Sequence, residues 1–283
     1  MILKPPSVLL MAPAGAGKTT ALPTYVEAGV ELFVLITEPN GADSLIDACK
    51  LHDVDIDKVH WTTVSPVSAG WDALEDMATK VKAFDYESIT KIKGGVGKQH
   101  QEQFMAILKA IQNFHCERTG KEFGDVTEWD HTRAFALDSL SGLNRIAMDH
   151  TIGYKPAAHQ GEWGIAMNLL ETLMLKLTSD MKCHFAVLAH VDRETDEITN
   201  IGKITVSSLG RKLGPKLIRF FSEVVLAKRN GSEFLWSTEE ASTDVKNRAL
   251  PISARIEPSF VQIVRAYEAR LSAMGKSLSP NAA

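Results

Sequence analysis

The 283-residue sequence predicts an α/β fold: a mainly parallel sheet with helices on both faces and one late antiparallel hairpin. Three observations carry the prediction. Short apolar, β-rich runs recur along the chain; the early ones alternate with helical patterns, the rhythm of βαβ units; and the last two runs flank the dipeptide Asn230-Gly231, a hairpin turn signal.

Taken in order, SVLLMA (7–12) is a buried strand, and the TTALPTYVEAG that follows its loop starts a helix interrupted early by Pro23. LFVLIT (32–37) and VHWTTV (59–64) are the next strands. Between 70 and 130 the pattern loosens into two helices, WDALEDMATKVKAF and QFMAILKAIQNF, the second with Phe104, Ile107, Leu108, Ile111 and Phe114 on one stripe. RAFAL (133–137) returns to strand, and residues 162–181 form a helix apolar on most sides. HFAVLA (184–189), EVVLA (223–227) and EFLWS (233–237) complete the strands. The expected organisation is a single domain over 1–274 with an insertion at about 70–130, then a flexible tail over 275–283, GKSLSPNAA being small and polar.

Composition excludes less than it permits. With 31 basic and 35 acidic residues, any nucleic-acid contact must come from a local patch. Cys49, Cys116 and Cys183 are scattered without a CxxC pair, which predicts reduced structural thiols in a reducing compartment and gives no zinc signature. Apolar stretches fall short of membrane length and MILKPP lacks a signal-peptide profile, so an intracellular protein without a membrane partner is expected.

The stretch APAGAGKTT (12–20) carries the chemistry. It matches G-x-x-x-x-G-K-[ST] except that Ala12 replaces the first glycine. Set between a strand and a helix, the backbone of Ala14, Gly15, Ala16, Gly17, Lys18, Thr19 and Thr20 would cradle a polyphosphate. Lys18 would reach its β and γ groups and the Thr19 hydroxyl would hold Mg²⁺. ATP and Mg²⁺ are the expected ligands; an ordinary Gly-rich turn is the alternative. GGVGK (94–98) fails the same test, because Gln99 stands where a hydroxyl is needed and no apolar strand precedes it. Such a loop also needs an acid at another strand end. Asp138, closing RAFALD, supplies it for Mg²⁺, or else simply caps the next helix.

These motifs, in this order, resemble the RecA/RadA-like P-loop ATPases, most closely the minimal phage-encoded recombinase ATPases of the Sak type. The resemblance spans roughly residues 7–250 and implies a RecA-like core. It makes Glu38, closing LFVLITE, the base that polarises the attacking water, and His190, closing HFAVLAH, the γ-phosphate sensor where relatives carry an amide. It also makes Lys246 and Arg248 of VKNRA cations that act in trans on a neighbouring subunit's nucleotide, so the chain is expected to be a homo-oligomer. Two departures stand out: few residues precede the first strand, and the 70–130 insertion has no counterpart we can name.

The segment KITVSSLGRKLGPKLIR (203–219) contains Lys203, Arg211, Lys212, Lys216 and Arg219 and no acid, where RecA-like proteins carry DNA-facing loops. Single-stranded DNA is therefore the expected partner, with a single-strand binding protein as a further one, and a solvated helix face is the alternative. The resemblance implies a Mg²⁺-dependent ATPase of phage-type DNA recombination in the cytoplasm, a host's cytoplasm if the chain is phage-encoded. Two other classes stay open: a helicase-like or packaging-type DNA motor, and a P-loop switch or kinase that does not touch DNA.

Overall fold

A computed structural model describes residues 3–68, 70–83, 96–153, 155, 157–195 and 202–278. Its strands are β1 (Ser7–Ala12), β2 (Glu31–Ile36), β3 (Val59–Thr63), β4 (Arg133–Asp138), β5 (His184–Thr195), β6 (Gly202–Val206), β7 (Glu223–Asn230) and β8 (Glu233–Ser237). They form one sheet in the order β3-β2-β4-β5-β1-β7-β8, with β6 paired to the outer half of β5. Every pairing from β3 through β7 along that order is parallel, and β7–β8 is the expected antiparallel hairpin, closing at Asn230 opposite Glu233. The middle strands read as unbroken apolar runs because both of their faces are covered.

One face carries α1 (Lys18–Ala21), α2 (Thr24–Glu27), α3 (Gly41–Leu51) and α9 (Val261–Leu278), which pack Leu22, Tyr25, Leu45, Cys49 and Val264 on Leu10, Val34 and Ala136. The other carries α5 (Lys98–Gln112), α6 (Leu140–Ile152), α7 (Gln160–Asp180) and α8 (Gly210–Ile218) over Leu9, Phe33, Phe135 and Val187. The helix after the first loop breaks between α1 and α2 at Pro23, whose ring removes a donor and blocks the preceding turn.

Within the 70–130 segment, α4 (Trp71–Ala83) precedes α5, whose Phe104, Ile107 and Ile111 are buried with Phe114, while Leu108 lies at the margin. The chain then closes the exposed edge of β3: Glu117 N–H donates to Trp61 O (2.9 Å) and Thr63 N–H to the Glu117 carboxylate (2.7 Å). An open edge strand is a template for unwanted pairing, and the segment around Glu117 covers it. Gly94 and Gly95 of the GGVGK stretch lie outside the described residues, and Lys98 opens α5.

Two boundaries differ from expectation. β5 runs on to Thr195 and pairs with β6, a strand whose KITV core the basic composition of its segment obscures. α9 continues to Leu278, past the position where a tail was expected to begin; residues 279–283 lie outside the described ones. Among the described residues no helix is long and apolar enough to cross a membrane, and all three cysteines are free and buried.

Candidate phosphate-binding site

In a parallel sheet the loops that can reach a ligand gather at the carboxyl ends of the strands. Here β1, β2, β4 and β5 deliver Ala12, Glu38, Asp138 and His190 to that end, with β4 and β5 lying to one side of β1. The loop leaving β1 turns through Gly15 (φ 72°) and Gly17 (φ 80°), left-handed conformations that favour glycine, and Gly17 caps α1. Ala12, at the position of the missing glycine, is buried inside the strand as the residue paired with His190. Its extended strand backbone is one that alanine adopts freely.

Lys18 lies folded back on its own loop. Its amine donates to Ala12 O (3.3 Å) and Pro13 O (3.2 Å) and contacts His190 Nδ1 (3.3 Å). Burial pulls this ammonium below its ordinary range, against the opposing pull of Asp138 and Glu38. The Thr19 hydroxyl donates to Asp138 Oδ2 (2.7 Å). Asp138 is buried, and desolvation pushes its carboxyl up to about 6 even though Thr19 and Lys18 favour the ionised form.

Glu38 stands across from that pair. Its Oε1 accepts from the Ser139 hydroxyl and lies 3.4 Å from His190 Nε2. The hydrogen bond from His190, joined by that from Ser139, holds the carboxyl below the usual glutamate range despite partial burial. With Lys18 donating to Nδ1, the imidazole is left to carry its proton on Nε2 and donate it to Glu38. Lys18, His190 and Glu38 thus form one chain of contacts across the mouth of the loop.

Two residues beside the acids fix this geometry: Ser139, the small hydroxyl that follows Asp138 as in RecA-like ATPases, and Thr37, which the motif reading passed over. Thr37 Oγ1 donates to Ser139 O (2.6 Å) and accepts from Ser139 N–H (3.0 Å), tying the end of β2 to the end of β4. Ser139 in turn caps α6 by accepting from Ser141 N–H (3.2 Å). The close approach requires Gly142, where a Cβ would fall 2.1 Å from Thr37 O. A hydroxyl on each side of the two acids, Thr-Glu and Asp-Ser, is the signal the sequence offered.

The remaining predicted residues lie elsewhere. Lys246 pairs with Val224 at the start of β7, beside Leu9, so Lys246 and Arg248 sit toward the amino end of the sheet, away from the loop that follows Ala12 in their own chain. Lys246 donates to Phe221 O (2.6 Å), whereas the exposed Arg248 side chain makes no ion pair among the described residues. Of the basic segment, Lys203 pairs with Asp244 (2.9 Å) and Lys216 with Glu171 (2.6 Å), acids supplied by distant parts of the chain. Lys212 and Arg219 are exposed; the side chain of Arg211 lies outside the described residues.

No protein-family model matches the chain, and no curated protein matches it in sequence. Among solved structures it is similar to a prototypical ATPase from the type III secretion system of pathogenic bacteria, at 14% identity and a TM-score of 0.36 over 80% of this chain. The chain spans about half of that protein, 53% of its length.

Proposed function

We propose that the chain is a Mg²⁺-dependent ATP hydrolase with a RecA-like arrangement of its site. The observation that carries the reading is the convergence of Lys18, Thr19, Asp138, Glu38 and His190, from the loop after β1, the ends of β2 and β4 and the middle of β5, on the mouth of one glycine-turned loop. A polyphosphate entering the loop replaces the carbonyl and imidazole partners of Lys18 with its own oxygens, and the successive N–H groups from Gly15 to Thr20 meet the rest.

The residues present fit Mg²⁺. Thr19 and Asp138 offer two adjacent hard oxygens, the ligand type of a cation shared with phosphate and water. When bound, the cation neutralises charge on the phosphates. Glu38 is held ionised, and its Oε2 has no partner among the described residues, so it accepts a hydrogen bond from a water and turns the lone pair of that water toward the terminal phosphorus. His190 touches both Lys18 and Glu38, so loss of the terminal phosphate is felt at the base through one side chain.

The partner we infer is single-stranded DNA, and the order of motifs supports a role in phage-type recombination within a reducing cytoplasm. Exposed Lys212 and Arg219 support the DNA contact; Lys203 and Lys216, engaged with acids, contribute less to it. Arg248 remains a candidate for a neighbouring copy's phosphate, and Lys246 is the weaker one. The test is phosphate release from Mg·ATP by the purified chain with and without single-stranded DNA. Hydrolysis stimulated by DNA supports the whole reading, hydrolysis indifferent to DNA removes the DNA partner, and none in either case removes the enzyme. Strand pairing without directional unwinding separates the recombinase from the motor.

A further inference from the structure

The sheet order assigns a side of the loop to each end of a nucleotide. β1 lies between β5 and β7, and the groups that flank Lys18 at the terminal phosphate (Glu38, Asp138, His190) all come from the β2, β4 and β5 side. A nucleotide whose terminal phosphate faces that way extends its nucleoside toward β7 and β8. There, at the carboxyl end of β7, Arg229 and Phe234 are directly paired across the hairpin. The alternation of the two strands puts them on the same face as Ala227 and Trp236, which belong to the core under α1 and α2, so they lie on the α1 side of the sheet.

Phe234 is half-buried, and its ring lies so close to the loop that a Cβ on Gly17 would meet Cδ1 at 2.9 Å. Arg229 holds its guanidinium 5.3 Å from the centre of that ring, steadied by donation from Nε to Gly231 O (2.8 Å). A guanidinium plane resting on an aromatic ring at the shoulder of a phosphate loop is a flat, cationic platform. The buried residues of β8 are Leu235, Trp236 and Ser237, whereas Phe234 stands half-buried beyond them at the loop.

We propose that the Arg229–Phe234 pair is the nucleobase platform of this site, a deepening that rests on the ATPase reading. Stacking on such a pair uses the π-face that every base has, so the platform orients nucleoside triphosphates with little choice among bases.

The experiment measures Mg²⁺-dependent affinity for ATP, CTP and inorganic tripolyphosphate by calorimetry in wild type, Phe234→Leu, Phe234→Tyr, Arg229→Gln and Lys18→Ala. We expect Phe234→Leu to weaken ATP about tenfold or more, as loss of one stacked base implies, and to leave tripolyphosphate within twofold. Phe234→Tyr restores ATP affinity, and Arg229→Gln falls between. ATP affinity unchanged in Phe234→Leu overturns the platform while leaving the loop in place. Equal loss of ATP and tripolyphosphate in that variant overturns it too, making the ring a prop for Gly17. Wild type that binds neither ligand, or binds both as well as Lys18→Ala does, removes the nucleotide reading itself.

Discussion

The two ends of the sheet use buried charge in opposite ways. At the amino end the Glu223 carboxylate accepts from three successive main-chain N–H groups, those of Arg248 and Ala249 at 2.8 and 2.7 Å and of Leu250 at 3.4 Å, while Lys246 donates to a carbonyl. At the carboxyl end Asp138 and Glu38 accept from hydroxyls and an imidazole, and Lys18 rests on loop carbonyls. Three main-chain N–H groups cannot leave Glu223 without unfolding the loop that carries them, whereas the hydroxyls, the imidazole and the Lys18 side chain can turn to a ligand. The difference separates charge that holds the fold from charge available for chemistry, and each end should fail in its own way when altered.

The largest effect is expected at the carboxyl end, on activity alone. Lys18→Ala should lower ATP hydrolysis by about 10³-fold, in line with loss of a donor aimed at developing charge. Thermal unfolding should be unchanged or shifted upward, because desolvation outweighs the attraction of Asp138 and Glu38 at this buried ammonium, a cost that alanine lacks. Glu38→Gln should slow turnover by about 10² while retaining ATP affinity. A parallel loss of ATP binding in that variant would move Glu38 to the structural class.

Glu223→Ala should behave in reverse. It leaves three buried or half-buried N–H groups without their acceptor, a loss of about 3 kcal/mol or more in urea unfolding, with turnover of the folded fraction intact. A drop in turnover without a stability loss would mean that the loop over residues 246–250 serves the reaction, as the trans reading of Arg248 requires. Mixing Lys18→Ala with Arg248→Ala addresses that reading directly: recovered activity in the mixture places Arg248 at a neighbour's loop.

Acid should also distinguish the ends. His184, at the amino end of β5, is buried among Tyr25 and Tyr267, and burial pulls its imidazole from its ordinary 6.5 down to about 4. The unfolded chain therefore takes up this proton first. The stability present above pH 6.5 is lost progressively as pH falls toward 4, up to about 3 kcal/mol. His184→Phe should flatten urea midpoints measured across that window; a slope identical to wild type would assign the acid sensitivity to other groups.

What was legible in the sequence follows the same division. β1, β4 and the β7–β8 hairpin are local patterns of apolar residues and turn chemistry, and they stand where Ser7–Ala12, Arg133–Asp138 and Asn230-Gly231 put them. Glu38 and Asp138 stand at the carboxyl ends of β2 and β4, and His190 closes the parallel stretch of β5 opposite Ala12, so the alignment of a parallel sheet brings the three together. Partners from far along the chain were not legible. Nothing near Lys216 announces Glu171, nothing near Lys203 announces Asp244, and nothing near Gly17 announces Phe234. The strand β6 was missed for a related reason: Lys203-Ile204-Thr205-Val206 alternates for only four residues, and its pairing with the outer half of β5 is what makes it a strand.

The smallest expected effect tests those hidden partners. If the α8 segment grips single-stranded DNA, each cation that meets a phosphate lowers the slope of log affinity against log salt by about 0.7 when it is removed. Lys212 is exposed with no ion pair among the described residues, so Lys212→Ala should change the slope by that amount. Lys216 already holds Glu171 at 2.6 Å with both side chains partly covered, and its replacement should change the slope by less. Fluorescence anisotropy of a labelled oligodeoxythymidylate across a salt series reads both. Equal changes would show that DNA opens the Lys216–Glu171 pair, which Glu171→Gln should then mimic by raising affinity. No change in either variant would detach α8 from DNA and leave its cations to the surface, where an exposed pair contributes about 0–1 kcal/mol to the fold and nothing to recognition.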